Sequence, residues 1–556
     1  MNAAAASAIG LNFYNADVPV KAQLRRRIPA STLPWAEAWL EAWGELCGGP
    51  IAARAEVIDR NPPKLVPLDR WGNDLGQVVH HPEAIATKRD LCESGFTGLR
   101  WQEEVRSRAE RRSAAQLMHT TYSYMLNQSD TGMGCACGMT GGVATIVDRF
   151  ANEHVREQFL PHLTTMRYDD LWDGAMFMTE RSGGSDLSGT ETTAIKDGQT
   201  WLLEGDKWFC SNVDARLILT LARPEGAGSG TKGLGLFLVP SHLEDGTRNS
   251  IRIRRIKDKL GTRSVPTGEV TYERAVAYQI GEAGIGINQM MEMVNFSRLG
   301  VAVMGAGIAR RCTLEAALYA SERFAFGKRL TSYPMVRQTL VDMQVDTEVS
   351  ALMCLESAAI AGSLEFAEDR DELMRFLRIL TPLAKIRSTR VGLRNAIEAV
   401  EILGGNGYIE DWPTARQLRD AQCHTIWEGT ENINSLDVLR SMGKLATHEP
   451  LLARVNSALE KASSADLPLL EAARDEFVQG FATVSSAPEV HARQFANLAA
   501  DLIGAALLVE EGAADERASL IASRFIRKTF GKTRFDADPS ILDDSTFSSL
   551  APPFGQ

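Results

Sequence analysis

Gly235-Leu236-Phe237-Leu238-Val239 reads as a strand, a short apolar run closed by turn-forming residues. Trp201-Leu202-Leu203-Glu204, Arg216-Leu217-Ile218-Leu219-Thr220 and Ile251-Arg252-Ile253 repeat the signal, separated by Gly, Asp, Asn and Pro. Between about Trp172 and Glu282 the hydrophobic period therefore falls to two, which predicts an antiparallel barrel or sandwich of about six to eight short strands. On both sides the period is helical. Leu117, Tyr124, Met125, Val143, Ile146, Phe150 and Val155 mark helices within about 82 to 163, and a shorter one runs around Trp35, Trp39 and Trp43. After Gly286 come four long stretches, about 287–324, 332–362, 371–403 and 430–444, whose lengths predict an antiparallel bundle.

At 556 residues the chain exceeds what one core supports, so two to four domains are expected. The partition expected is an N-terminal extension to residue 60, a helical domain over 61–172, a β-domain over 173–285, a four-helix bundle over 286–447 and a helical extension over 448–556. A net charge of -11 argues against nucleic acid as the default partner. No run approaching the roughly 18 apolar residues of a membrane span is apparent. Met1 to Gly10 show no basic region before an apolar core, so a cytoplasmic address is the simplest expectation. Eight cysteines are too few for a disulfide framework in so long a chain, and Cys135 and Cys137 are spaced too tightly for a zinc knuckle. No metal site is expected. His80-His81, before Pro82, reads as a solvated turn.

The stretch with most chemistry is His424-Thr425-Ile426-Trp427-Glu428-Gly429-Thr430-Glu431-Asn432, which sets one carboxylate between an aromatic residue and a glycine. In a water-poor pocket Glu428 would be a base able to take a proton from carbon; otherwise it is a solvated turn. Four further segments lie where the blocks meet. Met178-Thr179-Glu180-Arg181-Ser182-Gly183-Gly184-Ser185-Asp186 is either a loop cradling an anion or polar ring edge, or a surface turn. Trp208, in Lys207-Trp208-Phe209-Cys210-Ser211-Asn212, is either one wall of a planar cofactor site or core. Arg323-Phe324-Ala325-Phe326-Gly327-Lys328 ends a helix with the cations a pyrophosphate needs, and Leu403-Gly404-Gly405-Asn406-Gly407-Tyr408 ends the helix before Glu428.

Taken in order and at this spacing, over about 120 to 445, these segments resemble the acyl-CoA dehydrogenase family. Asn61-Pro62-Pro63, Ile256-Lys257-Asp258-Lys259-Leu260-Gly261 with Arg263-Ser264, and the extra C-terminal helices look like its AidB branch, named for the alkylation response. The resemblance implies an α+β fold: an N-terminal helical domain, a middle β-domain, a C-terminal four-helix bundle and an added helical extension. It implies FAD as cofactor, lined by Phe177, Met178, Thr179 and Ser185 on one side and by Trp208 with the Phe209, Cys210 and Ser211 backbone on the other. Arg323, Phe326, Glu401, Gly404 and Gly405 would reach the FAD of a neighbouring subunit, and Thr430 and Asn432 would sit on the phosphate and adenosine side of FAD.

Glu428 matches the family's base, which removes the α-proton of an acyl-CoA thioester while hydride passes from Cβ to the flavin, giving a trans-2-enoyl product. Some members carry the base on an earlier helix, where this chain has Ser297. Ser185, Arg298, Trp427, Gly429 and Arg440 would bind substrate; Arg298 and Arg440 read equally as salt-bridge residues. A homotetramer and an electron transfer flavoprotein as electron acceptor are also implied. The alternative is a DNA-associated flavoprotein of the alkylation response, for which Arg524-Phe525-Ile526-Arg527-Lys528-Thr529-Phe530-Gly531-Lys532-Thr533-Arg534 offers five cations among aromatics.

Overall fold

The computed structural model describes residues 7–282, 284–531 and 539–551. The chain forms two compact units, each discontinuous in sequence: Arg54–Ser107 with Asp130–Ser297, and Met1–Ala53 with Arg108–Ser129 and Arg298–Gln556.

The first unit is built on strands. A hairpin of β1 (Lys64–Leu68) and β2 (Asp74–Val79) comes first, followed by β3 (Gly174–Phe177), β4 (Thr193–Asp197), β5 (Thr200–Ser211), β6 (Leu217–Pro224), β7 (Gly235–Pro240), β8 (Ile251–Ile256) and β9 (Thr267–Ile280). The ladder β6-β4-β5-β9-β7 returns to β6 and closes a barrel, with β3 added beside β6 and β8 beside β9. Closure removes the exposed sheet edges that invite pairing with other chains. The barrel is not wholly antiparallel as expected, because β3–β6 and β4–β6 pair in parallel. The reason is connectivity: β3 and β6 are joined by a crossover through β4 and β5, not by a hairpin.

Alternation within β6 explains its mostly apolar run. Leu217, Leu219 and Leu221 join Val143, Val147 and Phe159 in one core, whereas Ile218 joins Phe177, Cys210, Phe237 and Val270 in the other. Both faces of residues 217–222 are covered, so the stretch carries no charge, and its buried Thr220 hydroxyl donates to the Phe177 carbonyl at 2.8 Å. The first core is shared with the helices Thr131–Phe150 and Glu153–Thr164. His80 is no solvated turn: its Nε2 lies 2.7 Å from an Asp214 carboxylate oxygen, and the His81 ring accepts the Glu83 N–H to cap the Pro82–Glu93 helix.

In the second unit the long helices are Gly286–Glu322 (from Arg298 onward), Pro334–Ser363, Arg370–Leu403 and Glu431–Leu445, close to the four expected stretches. Glycines set one approach. A Cβ on Gly392 would lie 2.6 Å from the Gly305 carbonyl, and a Cβ on Gly305 equally close to that of Ser388, so the first and third helices meet backbone to backbone. The helix Leu33–Leu46 packs Trp43 on Tyr122, stacked at 4.6 Å, and its indole N–H donates to the Tyr122 carbonyl. The extension contributes His448–Leu459, Leu467–Ser486, Pro488–Gly512 and Glu516–Phe530. Contrary to expectation, Pro488–Gly512 is long and apolar enough to span a bilayer, but 72% of its most apolar window is buried.

Candidate active site

In the bundle unit, the Pro413–His424 helix ends and a six-residue loop leads to the Glu431–Leu445 helix. Glu428 is held there at φ 54° and Gly429 at φ 95°, two consecutive left-handed residues. Glycine adopts that conformation freely, whereas glutamate does so at a cost. What holds Glu428 is a set of donors aimed at the loop carbonyls. Asn434 Nδ2 donates to Gly429 O at 2.8 Å and to Thr430 O at 3.0 Å, Arg298 Nε to Glu428 O at 3.4 Å, and Lys385 Nζ to Gly429 O at 2.6 Å. Both Glu428 and Trp427 are half-buried, and the Trp427 ring lies 6.0 Å from that of the fully buried His424. Burial draws the His424 imidazole down to about 3, aided by the nearby Lys385, so it is neutral at working pH.

Arg298 is neither on the bundle surface nor turned to solvent. It is 5% exposed, and its Nη1 bonds Asp437 at 2.8 Å. Arg440 also pairs with Asp437, at 3.6 Å, while its own side chain is 62% exposed. Burial pushes the Asp437 carboxyl up, but Arg378, then Arg298 and Arg440, hold it below the ordinary carboxylate range.

The other bundle residues share one property, exposure. Arg323 and Phe326 lie on the small hairpin of β10 (Phe324–Ala325) and β11 (Lys328–Arg329), with Phe326 98% exposed. Glu401, Gly404, Gly405, Thr430 and Asn432 are exposed as well.

In the barrel unit, Trp208 N donates to Thr179 O at 2.8 Å, which joins the loop after β3 to strand β5. Thr179 also packs so closely on Gly184 that a Cβ there would meet its hydroxyl at 2.8 Å. The Trp208 indole is half-buried and ringed by cations: Lys257 Nζ at 3.6 Å from its centroid, Arg181 at 5.1 Å and Arg255 at 5.8 Å. Ser185 and Phe209 are exposed, and Met178 and Ser211 half-buried.

Phe177 and Cys210 are fully buried in the barrel core, so only their backbones can face a ligand. A β-bulge between Lys207 and Cys210 is the cause: it interrupts strict alternation, so that Lys207 and Cys210 are both buried while Trp208 and Phe209 are not. The Glu180 carboxylate is buried on Lys207 Nζ at 2.6 Å. An indole plate with hydroxyl donors and surrounding cations, two of which, Arg255 and Lys257, share the Glu269 carboxylate at 2.6 Å, fits a planar anionic group such as FAD.

Reasoning from sequence missed Lys385, Asn434 and Asp437, and assigned Lys257 no role. Lys385 carries no signal of its own, since Arg387 and Arg390 follow it on the same helix. In the basic stretch the described cations make ion pairs: Arg524 with Asp342, Arg527 with Asp466, and Lys528 with Asp346 at 2.8 Å. Lys532 and Arg534 lie outside the described residues.

Residues 4–170 match the adaptive response protein AidB N-terminal domain, 175–275 the acyl-CoA dehydrogenase middle domain and 284–443 the acyl-CoA dehydrogenase C-terminal domain. The chain is 31% identical to acyl-CoA dehydrogenase family member 11 of Caenorhabditis elegans over 90% of its length and 84% of that protein's. It is 33% identical to the putative acyl-CoA dehydrogenase AidB of Escherichia coli, covering 75% of this chain and 76% of that one. The solved structure of C. elegans ACDH-11 in complex with C11-CoA superposes with a TM-score of 0.88 at 28% identity, covering 98% of this chain and 97% of that one.

Proposed function

The chain belongs to the acyl-CoA dehydrogenase family, in its AidB-like branch, and from that premise we propose that it is an FAD-dependent acyl-CoA dehydrogenase with Glu428 as its base. The observation that carries this reading is the Glu428 loop. A carboxylate kept in a strained left-handed conformation, by carbonyl bonds from three separate helices, is characteristic of a group whose position matters more than local stability. Half-burial beside Trp427 limits the water that competes for such a carboxylate, as removal of a thioester α-proton requires. The Glu428 backbone N–H is the group suited to polarising the thioester oxygen. FAD, when bound, supplies the two-electron oxidant that takes the β-hydrogen as hydride.

Thr179, Ser185 and Trp208 are assigned to the flavin, with the Phe177, Phe209 and Cys210 backbones. Arg323, Phe326, Glu401, Gly404 and Gly405 are assigned to FAD of a neighbouring subunit in a homotetramer. The complex of ACDH-11 with C11-CoA supports an acyl-CoA as substrate. An electron transfer flavoprotein is the proposed acceptor, and the cytoplasm the proposed site of action.

Anaerobic titration of the FAD-loaded protein with a panel of acyl-CoA thioesters tests the reading. Loss of flavin absorbance with the parent protein, and none with Glu428→Gln at unchanged FAD content, is the expected result. No response to any thioester overturns it. Duplex DNA binding that weakens steeply with salt would then favour the alkylation-response alternative.

A further inference from the structure

The loop that carries Glu428 rests on one buried amine. Lys385, on the Arg370–Leu403 helix, is 1% exposed, and its Nζ donates to Gly429 O at 2.6 Å and Thr425 O at 3.3 Å. The two acceptors bracket Glu428 on either side. An ammonium carries three donors and no acceptor, and burying one is unfavourable unless carbonyls or charges receive it. Here two loop carbonyls do. The charged and titratable groups facing it are Arg298 from the Gly286–Glu322 helix, Glu428 from the loop, Glu431 at the start of the next helix, neutral His424 from the Pro413–His424 helix, and Arg390 on its own helix. Of these, Arg298 is already paired with Asp437, and Glu431 with Arg390 and Arg493.

We propose that Lys385 is a positioning residue for the Glu428 base: its ammonium pins the loop through the carbonyls of Thr425 and Gly429, on either side of the residue that carries the carboxylate. The proposal deepens the dehydrogenase reading and rests on it for the reaction, though not for the loop. Pinning keeps Glu428 and Gly429 left-handed, and so fixes where the carboxylate is presented to its substrate. Burial, and then Arg298, push the Lys385 ammonium down to about 8 against the pull of Glu428. The charge is therefore present at neutral pH and lost on the alkaline side.

The test is a carboxyl-carbon NMR titration of the FAD-loaded protein labelled in glutamate, with the Glu428 signal assigned by its loss in Glu428→Gln. In the parent, that signal should show a second inflection near pH 8, as Lys385 loses its proton. In Lys385→Met that inflection should vanish and the Glu428 signal shift and broaden as the loop loses its anchor; Lys385→Arg should restore the parent signal. For acyl-CoA bleaching kcat should fall about tenfold while KM changes less than about threefold. An unchanged Glu428 signal in Lys385→Met, or a parent titration without the second inflection, overturns the proposal. The parent measurement decides it even if Lys385→Met does not fold. If no acyl-CoA bleaches the parent protein, the dehydrogenase reading falls while the carboxyl titration still decides the role of Lys385.

Discussion

Arg298 and Asp437 form an ion pair at 2.8 Å with side chains only 5% and 7% exposed. The same carboxylate takes Arg378 at 2.7 Å and Arg440 at 3.6 Å, the last from a largely solvated side chain. Removing the acid leaves a guanidinium buried without its partner, and losses of that kind cost about 3–5 kcal/mol. Asp437→Ala is therefore expected to lower unfolding free energy by about that amount, whereas Arg440→Ala should change it by less than about 1 kcal/mol. Urea unfolding of both variants checks the contrast.

Glu428 sits at φ 54°, where a side chain is strained and glycine is not. Glu428→Gly should raise stability by roughly 0.5–1 kcal/mol while abolishing thioester-dependent bleaching. An opposed change in stability and activity, read by denaturation and by anaerobic titration, marks a residue kept for its carboxylate. Loss of both together would mean that the side chain also supports the fold.

The strands of the barrel were legible because their apolar runs are short and bounded by turn residues, and the long helices because their periods persist. Parallel pairing was not legible, since β6 has the same sequence whichever direction its neighbour runs. The β1–β2 hairpin was missed because Pro67 and mostly exposed residues erase the alternation that marks a strand. At the site, Glu428 stood out as a local motif, but Asn434 and Lys385 act through backbone carbonyls, which no sequence pattern names. Phe177 was read as a lining by position, but its burial in the barrel core leaves only its backbone to reach a ligand, the same group that was read for Cys210. The basic stretch around Arg524 read as a solvated face or, in the alternative, a phosphate-binding one; the acids that answer its described cations, Asp342, Asp346 and Asp466, come from distant segments.

Within the barrel unit, Glu180 accepts from Lys207, from the Thr192 hydroxyl at 2.6 Å and from the Glu191 N–H at 2.7 Å. Burial alone would raise its carboxyl, but Lys207 and these bonds bring it below the ordinary range. A carboxylate so depressed stabilises the fold above its unfolded pKa of about 4.3, and that stability is lost as pH falls through the folded value. Lys207→Met removes the cation and leaves the carboxylate buried. The variant is expected to lose about 3–5 kcal/mol at neutral pH, and its deficit relative to the parent should shrink on acidification. Unfolding curves at pH 7 and pH 4 give the measurement.

The sign is opposite for Lys385. Its folded pKa of about 8 lies below the roughly 10.4 of an unfolded lysine, so the fold disfavours the charged form. Below pH 8 both states hold the proton, and the folded state bears the full cost of burying it. Between about pH 8 and 10.4 the unfolded chain binds more protons than the folded one, and the free energy of unfolding rises with pH on account of this group. Above that window the penalty is gone. The stability of the parent relative to Lys385→Met should therefore climb by about 3 kcal/mol from pH 7 to pH 10.5, since each pH unit across the window contributes roughly 1.36 kcal/mol. Thermal or urea unfolding of the two proteins across that range tests it. A constant difference would mean that Lys385 titrates alike in both states, and that its bonds to Thr425 and Gly429 anchor the loop without any conditional charge.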